Sequence, residues 1–136
     1  MTVRGVPVYE AKAELFKSLG HPVRIRVLEL LAEREHAVRE LLDLIEVEQA
    51  GLSQHLAVLR RTGLVRHHRS GGHVIYSLVG DEAAQLLQSA RRLLLELLDS
   101  SRELGESLTA DEPAEDLNAP EPTPEPAPEP ADEHRP

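Results

Sequence analysis

The feature that most constrains the fold is an abrupt change of hydrophobic period at Gly63. Before that glycine, apolar residues recur every three or four positions, as in helices that turn one face inward. Directly after it, Leu64 to Arg69 and Val74 to Leu78 flank the tetrad Ser70-Gly71-Gly72-His73. Val74, Tyr76 and Leu78 alternate with the period of two expected of a half-buried strand. The Gly-Gly pair supplies the positive φ angles that a tight hairpin turn needs. From Asp81 the helical period returns and runs on to Leu108. A chain with this pattern is mainly helical and is interrupted once, by one small β-hairpin.

Four helices are expected ahead of the hairpin. Tyr9 to Leu19 aligns Ala11, Leu15 and Leu19 on one face and stops at Gly20-His21-Pro22. Pro22 to Glu33 begins with proline at the position a helix tolerates best and turns Val23, Val27, Leu30 and Leu31 inward. Val38 to Ile45 is short, with Leu41, Leu42 and Ile45 inward. Glu46-Val47-Glu48 then makes a tight connection to a helix from Gln49 to Thr62, whose inward residues are Leu52, Leu56 and Leu59. Gly51 lies inside that helix at a cost of ~1 kcal/mol in propensity relative to alanine. Residues 1–8 carry no periodic signal and are expected to be flexible, so the domain is placed at 9–108.

The last helix, with Asp81 as N-cap, carries a seam at Leu87, Ala90, Leu94, Leu97, Ser101, Leu104 and Leu108. Leu86, Leu93, Leu95 and Leu98 flank it. The chain has one Phe, two Tyr and no Trp, so its core is aliphatic. One small domain cannot cover this much leucine. The seam is therefore expected to pack partly on its own domain and partly on a second copy.

The net charge of −9 argues against a nucleic-acid partner until it is divided along the chain. Residues 1–110 hold 14 Lys/Arg and 15 Asp/Glu, whereas residues 111–136 hold one Arg and nine acids. The acidity belongs to the Pro/Glu-rich end, where EPTPEPAPEP offers nothing to bury and residues 109–136 are expected to be a disordered tail. Within the body, residues 49–80 contain Arg60, Arg61, Arg66 and Arg69, four of the seven histidines and no acid. That is a local basic stretch in a nearly neutral domain.

Cysteine is absent, which excludes disulfides, thiolate metal sites and thiol nucleophiles. No G-x-S-x-G, Gly-rich phosphate loop or H-E-x-x-H occurs, so an enzyme is not expected. The first residues lack a signal pattern and no apolar run reaches the ~18 residues of a membrane span, so a cytoplasmic location without membrane contact is expected.

Two short helices around a tight turn, followed by a basic glycine-tipped hairpin, make a winged helix-turn-helix suited to double-stranded DNA. The second helix of the pair enters the major groove and presents its N-terminal polar residues, here Gln49, Ser53, Gln54 and His55, to base edges. Arg60, Arg61, Arg66 and Arg69, with His68 and His73 on the wing, fall where phosphates would lie. Each assignment has a plainer rival. His55 can be a core histidine, and Arg60 and Arg61 an ordinary solvated face. His67, His68 and His73 can be read as a metal cluster if His68 and His73 face each other, but two imidazoles lack the further ligands zinc takes. His21 is expected to be structural, and Arg91 and Arg92 to be solvated or paired with Glu96.

The stretches LFKSLGHPVRIRVLELL and GLSQHLAVLRRTGLVRHHRSGGHVIYSL resemble the ArsR/SmtB family of bacterial regulators, from Tyr9 to about Leu98. The block from Ser53 to Val65 is the most specific part. The resemblance implies a homodimer built by the first and last helices, here through Leu15, Leu19, Leu87, Ala90, Leu94, Leu97 and Leu104. It implies recognition of a partly palindromic operator by the helix holding Gln49 to His55, with repression as the default and an inducer that weakens DNA binding. The chain departs from the family at the sensor sites. Ala37-Val38-Arg39-Glu40-Leu41 stands where many members carry Cys-x-Cys, and the last helix offers Asp81, Glu82, Glu96 and Asp99 but no histidine. No cofactor or metal site is therefore expected from the family's standard sets. A metal response is left to a partner protein or a non-standard site. The acidic tail is either a solubilising segment or a functional one, competing with phosphate or docking a protein partner. The rival to a sequence-specific regulator is a winged-helix interaction module that binds protein.

Overall fold

The computed structural model describes the backbone of residues 1–108 and the side chains of residues 1–105. The expected tail at 109–136 lies outside the described residues. Ten elements follow one another: β1 Thr2–Val3, β2 Val6–Pro7, α1 Val8–Leu19, α2 Pro22–Glu33, β3 His36–Ala37, α3 Val38–Leu44, α4 Gln49–Arg61, β4 Val65–Ser70, β5 His73–Leu78 and α5 Glu82–Leu108. Met1–Leu97 forms one compact unit, and a second begins at Leu98, inside the span of α5. No helix among the described residues is long and apolar enough to cross a membrane.

The helices lie within a residue or two of their expected limits because their ends are written in local chemistry. His21 adopts the extended conformation that a following proline imposes, and its Nδ1 accepts from the Val23 N–H at 3.1 Å, capping α2. At the end of α4 the Gly63 N–H donates to the Arg60 carbonyl at 3.0 Å and the Leu64 N–H to the Leu59 carbonyl at 3.2 Å. This double closure needs a left-handed residue, which Gly63 supplies at φ +81°. Gly71 and Gly72, at φ +57° and +79°, turn the chain from β4 into β5.

The core is aliphatic, as the composition requires. Val27, Leu28, Leu41, Leu52 and Leu59 are wholly buried, with Leu30, Leu31, Leu56 and Val65 close behind. Each such side chain contributes roughly 1.5–3 kcal/mol by leaving water. The core thus joins α2, α3, α4 and the base of the hairpin, which fixes α4 and the wing relative to each other.

Two features go beyond the expected elements. Residues 1–8, expected to be flexible, contain a short pairing: Thr2 pairs with Pro7 and Val3 with Val6 around Arg4 and Gly5, both at positive φ. The sheet also has a third strand, in the order β3-β5-β4, because His36 pairs with Tyr76 and Ala37 with Ile75. The hairpin is therefore bound along one side to the chain that enters α3.

Candidate nucleic-acid interface

The turn between α3 and α4 is held closely. A Cβ on Gly51 would sit 3.3 Å from Cγ2 of Val47, so glycine at this point lets the turn pack against the first turn of α4. The propensity lost at Gly51 is thus offset by a closer approach. Glu48 occupies the N-cap but makes no side-chain cap, so Gln49, Ser53 and Gln54 lie exposed along the start of the helix.

Gln49 and Ser53, four residues apart, line one side of a cleft of about 480 Å³ between α3, α4 and the wing. Three guanidinium-bearing residues border the same cleft: Arg39 from α3, Arg60 from α4 and Arg69 from β4. His67 and His73 complete its wing side, with the His67 ring stacked on Tyr76 at 5.3 Å between centroids. The cleft carries exposed polar side chains and fixed positive charge together. Gln54 and Arg61 border a neighbouring depression that also includes Arg60. Arg60 and Arg61 additionally oppose the negative end of the α4 dipole.

The strand register sorts the wing residues. Val65, His67 and Arg69 lie opposite Leu78, Tyr76 and Val74, sharing the face that continues from the core into the cleft. Arg66 and His68, opposite Ser77 and Ile75, lie on the other face. These two do not join the cleft, although Arg69 and His73 do. His68 and His73 do not face each other, since His73 pairs with Ser70. Among the described residues, no three His, Cys, Asp or Glu side chains are grouped to hold a metal ion.

His55 is the main correction within α4. Its Nδ1 accepts from the Nε of Arg24 at 3.1 Å, and its ring lies 4.1 Å from that of His21. Half-buried against α2, it belongs to the inner side of the helix rather than to the exposed row of Gln49, Ser53 and Gln54. Burial, followed by the charges of His21 and Arg24, lowers its pKa below the usual histidine value. Arg39 is a cleft residue that sequence reasoning passed over, and His67 was weighed there only together with His68 and His73. Strand alternation with Val65 and Arg69 was a usable signal for His67. Arg39 had none, because its place depends on how α3 meets the wing.

Arg39 leads α3, whose first turn is secured by Glu40. The Glu40 carboxylate accepts from the Ala37 N–H at 3.1 Å and from Arg34 Nη2 at 2.6 Å. The hydrogen bond from Arg34, then that from Ala37, holds its pKa down at about 2.

The expected dimer residues divide into two groups. Leu19 is 5% exposed and belongs to this chain's own core, so it is withdrawn from the interface. Leu15 and Leu87 are half-buried against that core. Ala90 is exposed, Leu94 and Leu97 remain 57% and 56% exposed, and Leu104, in the second unit, is likewise exposed. Tyr9 and Phe16 on α1 are open as well.

Comparison with known proteins assigns the surface to a lineage. The family described as bacterial regulatory protein, arsR family, matches residues 21–67. The uncharacterized HTH-type transcriptional regulator Rv0081 of Mycobacterium tuberculosis is 47% identical over 105 residues, covering 76% of this chain and 92% of the relative. Its crystal structure matches with a TM-score of 0.66 at 48% identity, over 70% of this chain and 96% of that one. The transcriptional repressor BigR from Xylella fastidiosa matches with a TM-score of 0.59 at 38% identity, over 62% of this chain and 87% of its own. The homodimeric winged helix-turn-helix DNA-binding domain Mb0332 from Mycobacterium bovis, a possible ArsR-family regulator, gives 0.61 at 25% identity, over 72% and 95%. The first two relatives are described as a transcriptional regulator and a transcriptional repressor, and the third as a possible regulator. With this fold and this identity to Rv0081, the chain belongs to the ArsR/SmtB family of winged helix-turn-helix, DNA-binding transcriptional regulators.

Proposed function

We propose that this chain represses transcription by binding a partly palindromic operator as a homodimer. The observation that carries the reading is the cleft where Gln49 and Ser53 meet Arg39, Arg60 and Arg69. Glutamine pairs bidentately with adenine, serine donates or accepts, and the guanidinium groups neutralise phosphate. A dimer is supported by Leu94 and Leu97, whose exposure is unusual for a lone soluble domain, and by the homodimeric Mycobacterium bovis domain. Two copies would present two α4 helices to successive major grooves, which is why a palindrome is the expected target. Repression follows the repressor BigR. The chain would act in the cytoplasm, with the DNA it regulates.

The input is proposed to come through a partner protein or a non-standard site, because the family's cysteine and histidine sets are missing. Docking of a partner on the acidic tail is part of this reading. Deleting residues 111–136 without any change in DNA affinity, salt dependence or effector response would remove that part.

The deciding experiment is footprinting on the protein's own upstream region, with and without divalent metals, followed by titration of the protected duplex. A protected, symmetric site is expected, bound at least ~10³-fold more tightly than unrelated duplex. Binding that is weak and indifferent to sequence would instead favour an interaction module.

A further inference from the structure

Arg24 lies on α2, away from the DNA-facing cleft, yet it joins three helices. Its Nη1 donates to the Ser18 carbonyl at 2.7 Å and its Nε to His55 Nδ1 at 3.1 Å. The Ser18 carbonyl is available for a simple reason. Its helical partner four residues on would be Pro22, which has no N–H. One guanidinium thus ties the end of α1 to the middle of α4.

This tie has a chemical condition. A guanidinium only donates and remains charged, so His55 must offer a lone pair at Nδ1 and carry its proton on Nε2. The charged and titratable groups bearing on the ring are His21, from the corner between α1 and α2, and Arg24 from α2. Both oppose a second proton. The His21 Nδ1 is already engaged by the Val23 N–H, so it too is an acceptor in this geometry. A proton on His55 would turn its acceptor into a donor facing a donor, beside a cation.

We infer that Arg24 is a positioning residue for DNA readout: it holds α4 through the neutral ring of His55, and protonation of His55 releases the helix and weakens operator binding. The inference rests on the proposed DNA-binding function. His55 follows Ser53 and Gln54 directly, so a shift at its ring moves the reading row. Acid sensitivity is thereby built into the recognition helix, apart from any metal or ligand site. The pH profile of the native chain is therefore read against a variant in which this one ring is replaced.

Two variants of the full chain isolate the tie. His55→Gln keeps a hydrogen-bond acceptor and cannot titrate, while Arg24→Met removes the tie. Thermal midpoints without DNA and Kd for the protected duplex are measured from pH 7.5 to pH 5.5. Because folding lowers the His55 pKa, the unfolded chain takes up the proton first. The stability it confers is thus present above pH 6.5, the ordinary histidine value, and is lost as pH falls toward its lower folded value. The native midpoint should fall relative to His55→Gln below pH 6.5. At pH 7.5 Arg24→Met should bind about tenfold more weakly than the native chain, as for loss of one charge-assisted hydrogen bond. Between pH 7.5 and pH 5.5 the native chain should lose several-fold more affinity than His55→Gln loses over the same range. Superposed native and His55→Gln profiles, with DNA binding intact, overturn this inference alone. Absence of operator binding by every variant at every pH overturns the DNA reading with it.

Discussion

Glu40 makes one carboxylate serve three neighbours, and two of them chiefly favour its ionised form. Arg34 and the Ala37 N–H hold its pKa at about 2, and His36 Nδ1 lies 3.3 Å away. A carboxyl group with a lowered folded pKa stabilises above its unfolded value near 4.5 and loses that effect as pH falls toward 2. Glu40→Gln should therefore lower the thermal midpoint at pH 7, and the gap to the native chain should close progressively between pH 4.5 and pH 2. His36 presents the reverse case. It is only 3% exposed, and its Nε2 has no hydrogen-bond partner. Replacing a buried, half-satisfied polar group with an apolar one is close to neutral, so His36→Leu should change unfolding free energy by no more than about 1 kcal/mol, measured by urea titration. Nothing in the sequence marked His36 as buried. It is a lone histidine between Glu35 and Ala37, and only its pairing with Tyr76 takes it inside.

At the level of elements, the boundaries that could be read beforehand are those punctuated by glycine and proline. Gly63 closes α4 and Gly71-Gly72 turns the hairpin, because both require positive φ. Gly63→Ala should cost about 1 kcal/mol or more for forcing a Cβ into the left-handed region. β3 was invisible for the opposite reason. Two residues have no period, and the strand exists only because β5 lies beside it. The exposed row of α4 was legible from its polarity, but His55 was not separable from it. Helical spacing places residues on faces without saying which partner fills the space beneath. Within the cleft, Gln49→Ala should relax base preference at one operator position, costing about 1–3 kcal/mol of discrimination. Arg60→Ala or Arg69→Ala should weaken binding across sequences and reduce the slope of log K against log salt by about 1 each. Arg66→Ala, on the opposite face of the wing, should change that slope less.

For the molecule as a whole, periodicity recognised that α5 carries more leucine than one domain can cover, and that excess is visible in the exposure of Leu94 and Leu97. It could not tell self from partner. Leu19 shares its spacing with Leu15 yet closes this chain's own core, where α4 approaches α1. A Leu94→Glu, Leu97→Glu double variant should remain folded by circular dichroism but sediment as a monomer. Its operator affinity should fall far more than that of any single cleft variant, since one half-site cannot reproduce the contacts of two.

The sheet order β3-β5-β4 has an implication for solubility. It leaves β4 as an edge strand among the described elements, with backbone donors and acceptors available to a foreign strand. The residues along that edge are Arg66, His67, His68 and Arg69, whose charge and bulk discourage strand addition. The basic wing therefore also acts as a guard against aggregation. Replacing Arg66 and His68 together with valine should produce light-scattering aggregates at concentrations where the native chain stays clear.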